Sequence, residues 1–222
     1  MTSVICWWWQ NGRRPGVFKP EHVHALKKMV ETHLSIPHRF VCITDKPDEL
    51  DCETFPLWSF PEFNWSDDCW RRIKIFDPEI NTQFGDRIIS IDLDVLIEGD
   101  FAHLIENIDF QCMKGDASPL NTSFFTLKTG TMSHIWEQFS GKAVNVVKRS
   151  GYKGSDQAWL SVMAEKPSMW TEKDGVSTYR RLKVRPSERI VTAFPGTIKP
   201  WCNADNHKLY RELEASYRTY LE

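Results

Sequence analysis

The sequence predicts an α/β fold with a mostly parallel central sheet flanked by helices. Apolar runs of strand length alternate along the chain with segments of helical periodicity, which is the pattern of this fold class. The apolar residues Ile88, Ile89 and Ile91 are typical of a strand that is covered on both faces. The 222 residues contain no internal repeat or low-complexity linker, so we expect one domain, residues 1–222.

The first half of the chain predicts two strands and two helices. The run SVICWWW (3–9) is a first strand, and the turn-forming NGRRPG ends it. The segment 20–34 is a helix, because Pro20 suits a first turn and Val23, Leu26 and Val30 share one face. RFVCITD (39–45) is a second strand, followed by a turn over 45–50. The segment 55–68, rich in proline and aromatic residues, is a loop, and CWRRIKIFD (69–77) is a helix.

The second half continues the alternation. DRIISIDLDVLI (86–97) predicts one central strand, and short apolar runs predict further strands over 111–114, 123–128 and 189–194. Helical patterns cover 133–139 and 156–165, and a charged terminal helix begins at about residue 206.

Composition narrows the possible partners and compartments. A formal net charge of −2 argues against a strongly electrostatic nucleic-acid or membrane binder. The six cysteines include no CxxC pair, which favours a reducing cytoplasm. The positive charges of the amino-terminal segment follow its apolar run, the reverse of a signal peptide, and no apolar stretch approaches membrane-spanning length. We therefore expect a cytoplasmic protein without a membrane span.

Two carboxylates, Asp92 and Asp94, follow the apolar run of the central strand. Unpaired buried charges are very costly, so something must neutralise them. Ligands of open α/β sheets bind at the carboxyl ends of strands, and two hard oxygen ligands there suit Mg²⁺ or Mn²⁺. The alternative is that the two acids cap a turn or pair with a nearby arginine such as Arg87.

Four motifs in order carry a family resemblance. IISIDLDVLIEGDF resembles the metal-binding DxD segment of GT-A fold glycosyltransferases, which use nucleotide sugars. AFPGTIKPW (193–201) is similar to the signature HxxGxxKPW of the glycogenin and bacterial lipopolysaccharide galactosyltransferase group, and NTSFFTLKTG and GSDQAWL resemble its sugar-pocket strand and DQ helix start. The amino-terminal part also resembles a related bacterial and phage group. The resemblance covers roughly residues 3 to 205 and implies a single Rossmann-like GT-A domain.

The resemblance also implies roles for individual residues. Asp92 and Asp94 would hold Mn²⁺ or Mg²⁺, and Asp156 and Gln157 would be catalytic, stabilising the cationic sugar. The implied nucleotide-sugar-binding residues are Trp8, Trp9, Thr44, Asp45, Arg71 or Arg72, Asp92, Leu93, Asn121, Gly196 and Lys199. The implied activity is transfer of a hexose from a nucleotide-diphosphate sugar, with UDP the usual carrier and retention of anomeric configuration.

One position departs from the family pattern. The signature opens with a metal-binding His, and here that residue is Ala193. Either the two aspartates hold the metal with the diphosphate and water, which we favour, or Asp205 or His207 substitutes, or the metal binds weakly.

Other readings of the same residues stay open. Asp156 could simply cap its helix, and at least one of the tryptophans over 7–9 should pack in the core, because neighbours alternate faces on a strand. A strand-end DxD also occurs in haloacid-dehalogenase phosphatases, although usually near the start of the chain. A third possibility is a non-catalytic carbohydrate-binding protein, for which aromatic residues, 13% of the chain, would supply stacking surfaces.

Overall fold

A computed structural model describes residues 1–10, 16–59, 69–106, 108–165, 167–182, 186–202 and 208–221. The strands are β1 (Thr2–Trp8), β2 (His38–Thr44), β3 (Glu53–Pro56), β4 (Arg87–Ile91), β5 (Val95–Ile97), β6 (Phe110–Lys114), β7 (Leu120–Lys128), β8 (Ser168–Trp170), β9 (Val176–Thr178) and β10 (Val191–Ala193). The α-helices are α1 (Pro20–His33), α2 (Pro78–Asn81), α3 (His134–Glu137), α4 (Ala143–Ser150), α5 (Asp156–Met163) and α6 (Lys208–Arg218). Short 3-10 helices cover Pro47–Glu49, Cys69–Phe76, Thr82–Phe84, Ala102–Leu104, Glu172–Asp174 and Pro186–Glu188.

The main sheet has seven strands in the order β3-β2-β1-β4-β7-β6-β8. The first four run parallel to one another, β7 is antiparallel to both of its neighbours, and β8 is parallel to β6. This arrangement confirms the predicted α/β class with a mostly parallel sheet. The carboxyl ends of β1, β2 and β4 therefore meet at one edge of the sheet.

A second, three-stranded sheet has the order β5-β10-β9. It explains why the prediction of one continuous strand over 86–97 is wrong. The amide of Asp92 still donates to the Ser123 carbonyl on β7 at 2.9 Å, whereas the carbonyl of Asp94 accepts from the amide of Phe194, next to β10, at 2.9 Å. The chain thus changes sheets between the two aspartates, which places both acids on a turn.

Hydrophobic side chains pack against both faces of the main sheet. Along β1, Val4, Cys6 and Trp8 belong to the cluster that includes the buried face of α1, while Ile5 and Trp7 belong to the cluster that includes the segment 70–76 and α5. Alternating faces on a strand therefore put Trp7 and Trp8 in different cores. Burial of a large apolar side chain stabilises the folded chain by roughly 1.5–3 kcal/mol. The hydrophobic clusters on the two faces of the sheet therefore both contribute to stability.

Several elements differ from the sequence prediction. The helix expected over 69–77 is a 3-10 helix, and the loop expected over 55–68 begins within β3; residues 60–68 lie outside the described part. Helix α4 was not predicted, because its valine-rich sequence has weak helix propensity, and Gly151 ends it in the left-handed conformation at φ 75°. The terminal helix is observed from Lys208, and residues 206 and 207 are not among those described.

Candidate active site

A cavity of about 190 Å³ opens at the edge where the parallel strands end. Trp8 ends β1 and the Asp92–Asp94 turn follows β4, so the sheet topology brings the two segments together. The cavity is lined by Trp7, Trp8, Trp9, Phe18, Cys69, Arg72, Asp92, Leu93 and Asp94. Aromatic walls beside charged groups are suited to a ligand with a flat apolar part and a polar part.

Arg72 links two of the predicted site acids. Its guanidinium lies 2.7 Å from Asp92 and 3.3 Å from Asp156, and it donates to the Thr122 carbonyl at 2.9 Å. Thr122 also donates its hydroxyl to Asp156 at 3.1 Å. Because Arg72 and Asp156 are each only 6% exposed, this group is a buried charge network. The arginine suggested by the sequence, Arg87, is not the partner: it lies at the opposite end of β4, bonded to the Ile108 carbonyl.

Lys199 neutralises the other acid. Its ammonium forms a buried ion pair with Asp94 and donates to the Phe194 carbonyl at 3.3 Å. Lys199 is 5% exposed and Asp94 7%, so neither charge is screened by bulk water. The carboxylates of the DxD motif are thus both compensated, one by an arginine and one by a lysine.

The segment carrying Lys199 is fixed by neighbouring elements. The hydroxyl of Tyr210, on α6, lies within hydrogen-bond distance of the carbonyls of Lys199 and Cys202 and can donate to either. Gly196 in the same segment has φ 92°, a conformation that favours glycine, and a Cβ there would lie 3.1 Å from the Arg180 guanidinium. Contacts of the Lys199 side chain and of its backbone carbonyl therefore both fix the position of the ammonium.

Burial controls the protonation of the site. It raises the pKa of Asp94 and of Asp156, while Lys199 and Arg72, respectively, oppose that rise. Burial alone would lower the pKa of Arg72, but its pairing with Asp92 and Asp156 outweighs this and keeps its pKa above the ordinary value. Burial also raises the pKa of the Cys69 thiol to about 12, so Cys69 is a neutral wall of the cavity.

The structure brings together most of the predicted site residues. Trp8, Trp9, Arg72, Asp92, Leu93 and Asp94 line the cavity, and Asp156 and Lys199 join them through ion pairs. Arg71 instead lies over the Trp9 ring, with its guanidinium carbon 5.6 Å from the ring centroid.

The remaining predicted residues lie around this centre. Thr44 is buried at the end of β2 and accepts from the Lys46 amide, and Asp45 is exposed. Asn121, on β7, accepts from the Ser123 amide, and Gln157 donates to the Lys153 carbonyl at 2.8 Å. None of these four belongs to the cavity lining found among the described residues.

Sequence reasoning missed three residues of this region. Phe18 and Cys69 line the cavity, and Thr122 supports Asp156. Phe18 lies between the turn NGRRPG and the predicted helix 20–34, and Cys69 begins the predicted helix 69–77 that carries Arg71 and Arg72. Thr122 follows Asn121 on a strand, and the sequence contains no signal that its hydroxyl reaches α5.

The donor set fits a divalent cation with two protein ligands. Asp92 and Asp94 line the same cavity with hard oxygen atoms, and a phosphate and water could supply the remaining positions of Mg²⁺ or Mn²⁺. Across the described residues there is no group of three or more His, Cys, Asp or Glu side chains that could hold a metal. Ala193 is fully buried in β10, and Asp205 and His207 lie outside the described residues.

Comparison with known proteins identifies the fold. No protein-family model matches the sequence, and no curated protein matches it. The galactosyltransferase LgtC, solved with donor and acceptor sugar analogues, is similar in structure, with a TM-score of 0.61 at 10% identity over 98% of this chain and 95% of LgtC. The glycosyltransferase GlyE of Streptococcus pneumoniae TIGR4 has a TM-score of 0.66 at 12% identity, with 100% of this chain covering 63% of GlyE.

The bifunctional glycosyltransferase WbbM is also similar, with a TM-score of 0.57 at 12% identity, and the chain covers 51% of its length. This chain therefore spans less than two thirds of GlyE and about half of WbbM. The similarities establish a GT-A glycosyltransferase fold, as the sequence motifs predicted. No helix in the described part of the chain is long and apolar enough to cross a membrane.

Proposed function

We propose that this chain is a glycosyltransferase that moves a hexose from a nucleotide-diphosphate sugar, with UDP the expected nucleotide, to an acceptor. The observation that supports it most is the pairing of two buried cations, Arg72 and Lys199, with the DxD carboxylates at the strand-end cavity. Breaking the sugar–phosphate bond leaves a diphosphate that needs such positive charge. The fold of the similar structures supports the same conclusion.

Two competing readings receive less support. A carbohydrate-binding module needs exposed aromatic faces, but the large hydrophobic residues that are exposed in the described part are Met1, Met169 and Leu221, none of them aromatic. A haloacid-dehalogenase phosphatase uses the first DxD aspartate as nucleophile, but Asp92 is bound by Arg72 at 2.7 Å. The seven-stranded sheet belongs to a GT-A fold, which supports transfer over phosphatase chemistry.

In the proposed mechanism, Trp8 and Trp9 form the wall against which the nucleoside packs. Lys199 and Arg72 neutralise the departing diphosphate, and Gly196 allows the backbone to approach it. Asp92 and Asp94 would hold Mn²⁺ or Mg²⁺, which supplies further charge stabilisation for the leaving group when bound. These groups together lower the cost of separating sugar and diphosphate.

On the sugar side, Asp156 and Gln157 are the proposed catalytic residues. Arg72 and Thr122 both contact the Asp156 carboxyl group, so its orientation is fixed. A carboxylate placed in this way stabilises positive charge that develops on the donor sugar. Retention of anomeric configuration and a sugar-lining role for Asn121 belong to the same proposal, as does a cytoplasmic location, which the six free cysteines support.

A donor-turnover assay tests this function. The chain is incubated with a panel of UDP-sugars and Mn²⁺ or Mg²⁺, and UDP release to water or to added sugar acceptors is measured. We expect turnover of at least one donor, and a loss of about 10²–10³-fold in kcat for Asp156→Asn, comparable to losing one transition-state contact. Asp109→Asn is the matched control, because Asp109 is an exposed acid 3.6 Å from Lys128.

The proposal fails if no UDP-sugar in the panel is turned over and none raises the melting temperature of the chain. It also fails on the catalytic assignment if Asp156→Asn and Asp109→Asn have the same kcat. A melting curve of each variant separates loss of chemistry from loss of folding.

A further inference from the structure

The DxD carboxylates are already occupied by cations of the chain itself. Asp94 is paired with the Lys199 ammonium, and Asp92 with the Arg72 guanidinium at 2.7 Å. Asp94, Lys199 and Arg72 are all at least nine-tenths buried. A ligand that enters this site therefore competes with an existing ion pair.

A single ligand would disrupt the Asp94–Lys199 pair without replacing both halves. A divalent cation that takes Asp94 leaves the Lys199 ammonium buried without its partner. A diphosphate that binds Lys199 likewise leaves the Asp94 carboxylate buried without its partner. A buried charge without a partner is strongly unfavourable, so each ligand alone binds against a penalty.

The two ligands together remove both penalties. The cation then pairs with Asp94 while the diphosphate pairs with Lys199, and every buried charge has a partner of opposite sign. Lys199 is suited to this exchange, because an ammonium on a flexible stem has rotatable donors and can turn to a second acceptor. The Phe194 carbonyl, 3.3 Å from the ammonium, remains as a neutral partner.

We propose that the Asp94–Lys199 pair makes the binding of a nucleoside diphosphate and of a divalent cation mutually dependent through exchange of ion-pair partners. The inference rests on the proposed function, since it assumes that both ligands bind at this cavity. Direct contact between metal and phosphate would also couple the two ligands. The distinguishing claim is that removing one half of the pair strengthens the binding of one ligand on its own.

Two mirrored substitutions make this claim measurable. Lys199→Met removes the competitor for Asp94, so Mn²⁺ without nucleotide should bind at least about tenfold more tightly than to the unsubstituted chain, within the range of known couplings between sites. Asp94→Asn removes the competitor for Lys199, so UDP in the presence of EDTA should bind more tightly by a similar factor. Under partner exchange, each substitution frees one half of the pair for its ligand.

The chain contains a matched control pair. Lys128 and Asp109 form an exposed ion pair, 3.6 Å apart, and Lys128 pairs in register with Arg87 at the end of β4 opposite Asp92. Lys128→Met and Asp109→Asn repeat the same chemical changes and the same changes of net charge away from the cavity. Both controls should keep the affinities of the unsubstituted chain for Mn²⁺ and UDP.

The experiment is a set of calorimetric titrations with Mn²⁺ alone, UDP alone in EDTA, and UDP in saturating Mn²⁺, checked by quenching of tryptophan fluorescence. Weaker or unchanged Mn²⁺ binding by Lys199→Met, or weaker or unchanged UDP binding by Asp94→Asn, overturns the proposal even if the unsubstituted chain binds both ligands. Asp94→Asn keeps the shape of the side chain, so it carries the test if Lys199→Met does not fold. No binding of UDP and Mn²⁺ even together overturns the proposed function, and this inference with it.

Discussion

Replacing Arg72 with methionine is the most informative stability experiment. Arg72 lies between Asp92 at 2.7 Å and Asp156 at 3.3 Å, and it also donates to the Thr122 carbonyl at 2.9 Å. At an effective dielectric constant of about 20, charges at these separations attract by roughly 5–6 kcal/mol each. Desolvation of the buried groups offsets most of this attraction, but the Arg72→Met variant keeps the desolvated acids without their cation.

Removing one partner of a buried ion pair costs about 3–5 kcal/mol in free energy of unfolding, and we expect this range for Arg72→Met at neutral pH. With a urea dependence of about 2 kcal/mol/M, the unfolding midpoint should fall by roughly 1.5–2.5 M. Arg181→Met is the matched control. Arg181 also lies between two acids, 3.3 Å from Asp116 and 3.4 Å from Glu172, but its side chain is 31% exposed. The free energy of unfolding of Arg181→Met should therefore fall by about 1 kcal/mol or less.

The effect of pH on Arg72→Met has a definite sign. Burial already raises the pKa of Asp156, and Arg72 lowers it, so removing Arg72 raises that pKa further. A carboxyl whose pKa is higher in the folded than in the unfolded chain binds more protons when folded. The folded state is therefore favoured as the pH falls toward the unfolded pKa of about 4. Arg72→Met should thus recover part of its lost stability between pH 7 and pH 4.5.

Urea titrations with circular dichroism at these two pH values check both statements. Equal losses for Arg72→Met and Arg181→Met would refute the reasoning that burial decides the cost. A loss for Arg72→Met that grows on acidification would refute the assignment of Asp156 as the acid left without its cation.

Three further predictions address other parts of the chain. Trp170 is 2% exposed and donates to the Leu104 carbonyl, so Trp170→Ala should lose about 3–5 kcal/mol in urea unfolding, and a loss below 1 kcal/mol would contradict its core position. Because burial raises the pKa of Cys69 to about 12, mass spectrometry should find it unmodified by iodoacetamide at pH 8 until urea is added. Burial lowers the pKa of His22 to about 4, and its Nδ1 accepts from the Lys19 amide, so the unfolded chain binds a proton more readily at this residue. Acidification from pH 6.5 to 4 should therefore lower the free energy of unfolding by up to about 3 kcal/mol more in the unsubstituted chain than in His22→Gln. Parallel pH profiles of the two proteins would contradict the last prediction.

Five strands of the main sheet, β1, β2, β4, β6 and β7, were predictable because their apolar patterns are local, whereas β3 and β8 were not predicted. β1, β2 and β4 coincide with the predicted runs to within one or two residues, apart from the break at Asp92. That break was not predictable from periodicity. It depends on β10 and on a hydrogen bond from Phe194, 100 residues from Asp94 along the chain, which place the segment after Asp94 in a second sheet.

The central charged residues of the candidate site were predictable, but their pairing was not. The strand-end rule and the motif order pointed to Asp92, Asp94, Asp156 and Lys199. Which cation neutralises which acid depends on how the 3-10 helix Cys69–Phe76 and the segment after β10 pack over the strand ends. Arg87 was suggested as the partner of the aspartates because it is close to them in sequence. In the structure the partner of Asp92 is Arg72, which is 20 residues away along the chain.

The exchange of partners at the DxD turn can be observed in a crystal structure of the chain with UDP and Mn²⁺. We expect an anomalous manganese peak at about 2.0–2.3 Å from oxygen atoms of Asp92 and Asp94, a typical metal–oxygen distance. We also expect that the Lys199 ammonium has left Asp94 for a phosphate oxygen. UDP bound elsewhere, or no manganese at the turn with the Asp94–Lys199 pair intact beside bound UDP, would contradict the exchange.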